Sequence, residues 1–355
     1  MLIGMKAGTV YFSPDYFTAA ERFSTTALKS GARLQILPLH AKGPTGQELG
    51  IEIAWLGAQT PRRVLLHSSG LHGVEGFAGS AIQLQLLDDV PALPADTALV
   101  IVHILNPHGM AWLRRVNENN VDLNRNFPHN ASYAGAPSMY ARLDRFLNPQ
   151  SPPTSDFYFA KAGYLILRYG LAALKQSVAS GQYEFPAGLF FGGTQMEEGP
   201  RQYEAFVKQR LALAEKAIVI DVHTGLGKFA EDSLLVDAEE YIRIRDVFGE
   251  RVTALRPDEV AYRIQGGLGS MISRVLPKAH PVFIGQEFGT YSPVNILHAL
   301  REENRWHRYG GGTLDHPTKE KLKETFCPAS ESWRQAVLRR GRELVEQALR
   351  ELMHA

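Results

Sequence analysis

Arg63-Val-Leu-Leu-His-Ser-Ser-Gly-Leu-His-Gly-Val-Glu-Gly76 is the stretch that decides the fold class. Its first half has a continuous apolar centre, Val64, Leu65 and Leu66, which suits a strand buried on both faces of a parallel sheet. Gly70, Gly73 and Gly76 follow, and helical periodicity begins at Phe77 and runs through residues 77–87. Strand, glycine-rich turn and helix in that order is a unit of α/β folds. Loops at the carboxyl ends of parallel strands are where open sheets of this kind bind ligands. The turn carries His72 and Glu75, three residues apart and able to point to one side. Neutral imidazole and ionised carboxylate are both good zinc ligands. Alone, His-x-x-Glu is a common pattern, equally expected of a helix N-terminus with a favourable acid.

Working outward, two further strand ends carry matching chemistry. Residues 217–222 read as a buried strand that places His223 at its carboxyl end, with Asp221 on the same face as a partner for the ligand or a buried structural acid. The run from Pro281 reads as a late strand that brings Glu287 into the core. A buried carboxylate is costly unless paired or useful. Beside a metal, its use is to take a proton from the bound water. The expectation is therefore one zinc ion held by His72, Glu75 and His223, with Glu287 as the base. His67 and His103 fall inside predicted strands and read as core histidines, and the remaining histidines lack a matching context.

The rest of the chain supplies a frame. Residues 15–30 read as a helix, 34–39, 51–56 and 98–105 as strands, and 203–216 as a helix. Residues 293–306, 318–325 and 330–352 read as closing helices. Between residues 128 and 199 the pattern is broken by Pro137, Pro149, Pro152 and Pro153, then reads as a long helix over 158–180. The glycine-rich turn at 190–195 reads as structural. This segment is expected to be an insertion in one catalytic domain spanning residues 1–355.

Composition bounds the function. Of the 355 residues, 45% are hydrophobic and 21% charged, which is globular, and a net charge of +1 without a basic stripe argues against a nucleic-acid partner. A lone cysteine, Cys327, cannot form an internal disulfide. No run approaches the roughly 20 apolar residues that span a bilayer, and the N-terminus lacks the apolar core of a signal peptide. The expected setting is soluble and cytoplasmic, with no membrane partner; an oligomer is left open.

Residues 114–127, Arg114-Arg-Val-Asn-Glu-Asn-Asn-Val-Asp-Leu-Asn-Arg-Asn-Phe127, form a dense polar block with three arginines and five asparagines. Guanidinium and amide groups recognise carboxylates, and arginine can polarise a carbonyl. Taken with His72-x-x-Glu75, Asn106-Pro-x-Gly109, His223 after hydrophobic-Asp-x, and a late glutamate, this block resembles the zinc carboxypeptidase family. Phe12-Ser-Pro-Asp-Tyr16 and Gln286-Glu-Phe-Gly-Thr-Tyr291 resemble a branch of it designated a domain of unknown function. The similarity runs from about Tyr11 to the C-terminal helix.

The resemblance implies an α/β fold with a central mixed, largely parallel sheet and helices on both faces. It implies that Asn124 and Arg125 bind a terminal carboxylate, and that Arg115, or alternatively Arg114, polarises the scissile carbonyl. Tyr291 or Tyr262 would touch the substrate. The implied activity is a metallocarboxypeptidase acting on peptides. The desuccinylase and aspartoacylase relatives carry a similar Gly-x-His-Gly-x-Glu and Asp-Leu-Asn-Arg pattern and act on small N-acyl amino acids, a second reading. A binding module that keeps the fold without catalysis is a third.

Overall fold

The computed structural model describes residues 8–128, 132–255 and 266–353. Chain entry is set by α1 (Tyr16–Lys29), whose N-cap is Asp15. The Asp15 carboxylate accepts from the Thr18 backbone N–H at 2.9 Å and from the Thr18 hydroxyl at 2.8 Å, filling an orphan donor of the first turn. Strands β1 (Arg33–Lys42), β2 (Glu48–Gly57) and β3 (Arg63–Ser69) follow, then α2 (Gly76–Asp88), β4 (Thr97–His103) and the short α3 (Pro107–Ala111).

The segment expected to be an insertion contains α4 (Ser138–Leu147), α5 (Tyr158–Tyr169) and α6 (Leu171–Ala179). The single helix expected over 158–180 is thus two, because the chain turns at Gly170. Helix α7 (Glu198–Arg210) ends earlier than periodicity suggested, and β5 (Lys216–Gly225) begins where the helix was expected to stop. Strand β6 (Asp232–Asp237), α8 (Tyr241–Phe248), β7 (Val252–Leu255) and α9 (Leu268–Val275) were not anticipated. Strand β8 (Val282–Gly289) and helices α10 (Pro293–Tyr309), α11 (Pro317–Phe326) and α12 (Glu331–Met353) complete the chain.

The eight strands form one mixed sheet in the order β1-β2-β4-β3-β5-β8-β6-β7. Its centre, β4-β3-β5-β8, is parallel, while β1, β2 and β6 pair antiparallel with their inner neighbours. Alternation along the strands splits the core in two. Leu65, Ile101 and Ile220 face one cluster with Phe23, Phe77, Ile82 and Leu344. Val64, Leu66, Val100 and Val219 face another with Tyr203, Phe206, Leu268 and Met271. Helices therefore cover both faces, and the central strands are apolar on both sides for that reason.

His103 is the core histidine its strand position suggested. Its Nδ1 lies 3.1 Å from Glu52 Oε2, its Nε2 lies 2.9 Å from Ser80 Oγ, and its ring stacks on Phe23. Among the described residues no helix is long and apolar enough to cross a membrane.

Replacing the cap of α1, Asp15→Ala, is expected to lower stability by about 1 kcal/mol. Chemical denaturation of the two proteins side by side measures the difference, and metal content should be unchanged.

Candidate metal centre

Three adjacent parallel strands deliver the site. Strand β3 ends at Ser69, and the next residue, Gly70, sits at φ +67° and lies so close to Ile104 that a side chain would clash. The chain then turns through His72 into a single 3-10 turn, Gly73–Glu75. Gly73 packs against the backbone of Gly109 with no room for a β-carbon. The Gly73 and Val74 N–H groups donate to the carbonyls of Arg115 and Arg114 at 3.0 and 2.9 Å. The ligand turn is thereby bolted to the polar loop. Asn106 secures the same junction, accepting from Gly109 N at 2.8 Å and donating to the Arg115 carbonyl at 3.3 Å.

Strand β5 carries His223 and β8 carries Glu287, and the two are register partners across the β5–β8 ladder. One donor atom each from His72, Glu75 and His223 lies within 4.8 Å of the others, and all three residues are buried. The converging atoms are the Nδ1 nitrogens and the Glu75 carboxylate. His72 Nδ1 is 3.0 Å from Glu75 Oε1, and His223 Nδ1 is 3.3 Å from His72 Nδ1 and 3.2 Å from Glu75 Oε2.

The outward nitrogens meet carboxylates. His72 Nε2 lies 3.1 Å from Asp122 Oδ1, and His223 Nε2 lies 2.7 Å from Asp221 Oδ2. Asp221 is held in turn by the Ser68 hydroxyl at 2.6 Å. The Asp221 carboxylate on the far nitrogen of His223 favours its Nε2–H tautomer, which leaves the Nδ1 lone pair toward the centre, while His72 Nε2 sits between Asp122 and Arg115 Nη2, the latter at 2.7 Å. Asp122 was not singled out from sequence as a partner of His72; the Asp122-Leu-Asn-Arg-Asn-Phe127 motif was the available signal.

The charge balance asks for a cation. Glu75, Asp122, Asp221 and Glu287 are buried carboxylates, and Arg115 and Arg125 are the buried guanidiniums among them. With neutral imidazoles, four carboxylates face these two guanidiniums and the half-buried Lys175 near Glu287, an excess of negative charge that a bound cation would offset. The titration tendencies agree. Burial would lower the pKa of His223, but Asp221 and Glu75 outweigh it and hold the imidazolium well above its ordinary range. Burial also works against ionised Asp122, and the Arg115, Arg125 and His72 charges overcome it. Glu287 is pushed up to about 7, first by burial and then by the charge of Glu75. Two imidazole nitrogens and a carboxylate are a donor set that fits zinc.

The expected substrate residues part company. Arg115 lines the cavity beside His72 and Glu75, with contacts of 3.0 Å to both Glu75 and Asp122. Arg114 is instead locked to Glu303 at 3.1 Å and to Asn120 and Asn304. Arg125 is fully buried: it donates to Asp122 at 2.9 Å and to the Ala179 carbonyl, under the Phe190 ring. Asn124 accepts from Leu268 N at 3.1 Å, and neither Asn124 nor Arg125 is among the cavity-lining residues. The Tyr291 hydroxyl donates to Glu324 at 2.8 Å, and the residue does not line the cavity; Tyr262 lies outside the described residues. Glu287 does line it, with Oε1 accepting from Leu226 N at 2.8 Å. Cys327 is buried, with its thiol pushed up to about 12, chiefly by burial, which suits an inert core residue.

The eight-stranded mixed sheet with its covering helices defines an α/β protein of the zinc carboxypeptidase-like fold. A family model described as "Protein of unknown function (DUF2817)" matches residues 12–340, and the chain belongs to that family. The fold is shared with bovine thrombin-activatable fibrinolysis inhibitor, solved in complex with tick carboxypeptidase inhibitor, at 12% identity and a TM-score of 0.52 over 97% of this chain and 99% of that one. A second structure of thrombin-activatable fibrinolysis inhibitor aligns at 10% identity and a TM-score of 0.51, covering 99% and 77%. Carboxypeptidase A from Helicoverpa armigera aligns at 13% identity and a TM-score of 0.46, covering 89% and 74%. No curated protein sequence matches.

Purified protein is expected to bind one zinc per chain by elemental analysis, and His223→Ala to bind none. Asp122→Asn should keep the ligands but weaken zinc affinity about 10- to 100-fold in competition with a chelator. An unchanged affinity would detach Asp122 from the site.

Proposed function

We propose that the chain is a zinc-dependent hydrolase of amide bonds. The observation that carries this reading is the placement of Glu287 on the same cavity as His72 and Glu75, and in register, one strand away, with His223, which converges on both. A bound zinc supplies a lowered pKa for water and a Lewis acid for a carbonyl oxygen. The chain's own groups do the rest. Glu287, with its raised pKa and one oxygen held by Leu226 N, accepts the proton of the attacking water and returns it to the leaving amine. Arg115 exchanges its contact with Glu75 for the developing oxyanion, a task that suits a guanidinium already in the cavity. Asp122 and Asp221 hold the two imidazoles in orientation.

Two substrate classes compete, a peptide cut before its C-terminal residue and an N-acyl amino acid. A metallocarboxypeptidase needs Asn124 and Arg125 to reach a terminal carboxylate from the cavity. In this chain Arg125 is committed to Asp122 and the Ala179 carbonyl, so peptide binding would have to release it. An N-acyl amino acid carries the same carboxylate beside its scissile amide, so the commitment of Arg125 bears on both classes alike, and the substrate panel below separates them.

Glu287→Gln should keep stoichiometric zinc while kcat falls about 10²- to 10⁴-fold. The assay is amine release from a panel of N-acyl amino acids and peptides, run with zinc-loaded protein. Wild-type turnover in the variant would remove Glu287 from the mechanism, and no turnover on the whole panel by the wild type would sink the hydrolase reading.

A further inference from the structure

The cavity that begins at the ligand cluster does not end there. It has a volume of about 140 Å³ and opens to solvent on one side, and away from the ligands its walls are apolar. Leu143 and Leu147 of α4, Leu165 of α5, Leu174 of α6, and Leu297 and Leu300 of α10 face it. Tyr158 contributes its ring, since its hydroxyl donates to the Val294 carbonyl at 3.0 Å. The cations that line it belong to the other end. Arg115 contacts Glu75, and Lys175 lies close enough to Glu287 for the two charges to interact.

These walls are fastened in place. From α10, Arg301 donates to the Phe146 carbonyl at 2.7 Å and pairs with Asp156. Arg305 donates to the carbonyls of Ser151 and Pro152 at 3.1 and 2.6 Å. The loop between α4 and α5 is thus tied to the helix on the opposite wall, so the cavity is a built volume and not a gap under a loose segment.

Such a space rejects a charged or strongly polar group, which would lose its hydration without replacement. Resting on the hydrolase reading above, we propose that the cavity takes the acyl chain of the substrate. The acyl group is apolar, alkyl or aryl, and about six carbons long, the measure of benzene in a dry cavity of nearly this volume. The reaction is hydrolysis of R–CO–NH–R′. The water oxygen bonds to the acyl carbon, the C–N bond breaks with its electron pair on nitrogen, and the water's protons are shared between the products, R–COOH and H₂N–R′. This sets the chain apart from enzymes whose acyl groups are acetyl or succinyl.

The test pairs binding with turnover. Butanoate, pentanoate, hexanoate and octanoate are titrated into the zinc-loaded protein by calorimetry, and the matching N-acyl amino acids are assayed with N-acetyl, N-succinyl and peptide substrates. Affinity should rise about four-fold per methylene, flatten beyond about six carbons, and be mirrored in kcat/KM. Leu174→Gln should flatten the series while zinc content stays unchanged. If that variant does not fold, the wild-type series decides alone. Equal binding of all chain lengths overturns the proposal, as does faster cleavage of N-acetyl or N-succinyl substrates, or release of C-terminal leucine or phenylalanine from peptides with N-acyl amino acids untouched. Chain-length-dependent binding without any turnover supports the cavity assignment and counts against the hydrolase reading, so the two fail separately.

Discussion

Unbalanced negative charge in a dry interior is the constraint on which this structure turns. Glu75, Asp122, Asp221 and Glu287 are buried around two imidazoles, and Arg115, Arg125 and the half-buried Lys175 are too few cations to balance them. Removing charges from water is expensive, by several kcal/mol per ion even after relaxation. A chain that assembles four such groups needs both a rigid frame and a cation to settle on them. The raised pKa of Glu287 is the local record of that cost, burial and the charge of Glu75 pushing its carboxyl toward the neutral form.

The frame is the parallel centre of the sheet together with a polar loop folded back upon it. Parallel strands end at one edge, so β3, β5 and β8 present their carboxyl ends side by side. The loop gains its rigidity from its asparagines. Asn117 accepts from Val121 N at 2.8 Å, Asn120 donates to the carbonyls of Pro186 and Gly188, and Asn126 donates to those of Gly192 and Gln195. A segment without regular secondary structure has its buried polar groups satisfied by side chains instead.

That explains which parts of the site could be read in advance. The convergence of His72, Glu75, His223 and Glu287 was legible because each lies at or just past the carboxyl end of an apolar strand, and strand ends are local features of sequence. The fold class was legible from the same strands. The partnership of Asp122 with His72 was not, since it depends on a loop returning across 50 residues. The loop's polar residues read as recognition groups, yet Arg114 and most of the asparagines hold the scaffold, because composition does not tell a satisfied amide from a waiting one. Strands β6 and β7 are hard to read because they are only six and four residues long, too short for alternation to stand out in the sequence. The walls contributed by α4, α5 and α6 were hidden by prolines and by Gly170, which interrupt helical periodicity where the tertiary fold restores a common surface.

The pairing of His223 with Glu287 has a corollary. Their separation is inherited from the repeat between neighbouring strands, about 4.8 Å, and owes nothing to the helices that wall the cavity. Those helices lie within one stretch of chain, residues 138–179, and on α10. That stretch can therefore be remodelled, changing what the cavity accommodates, while the spacing of His223 and Glu287 stays as the sheet sets it. The sheet behaves as a chassis, and the helical wall as an interchangeable fitting.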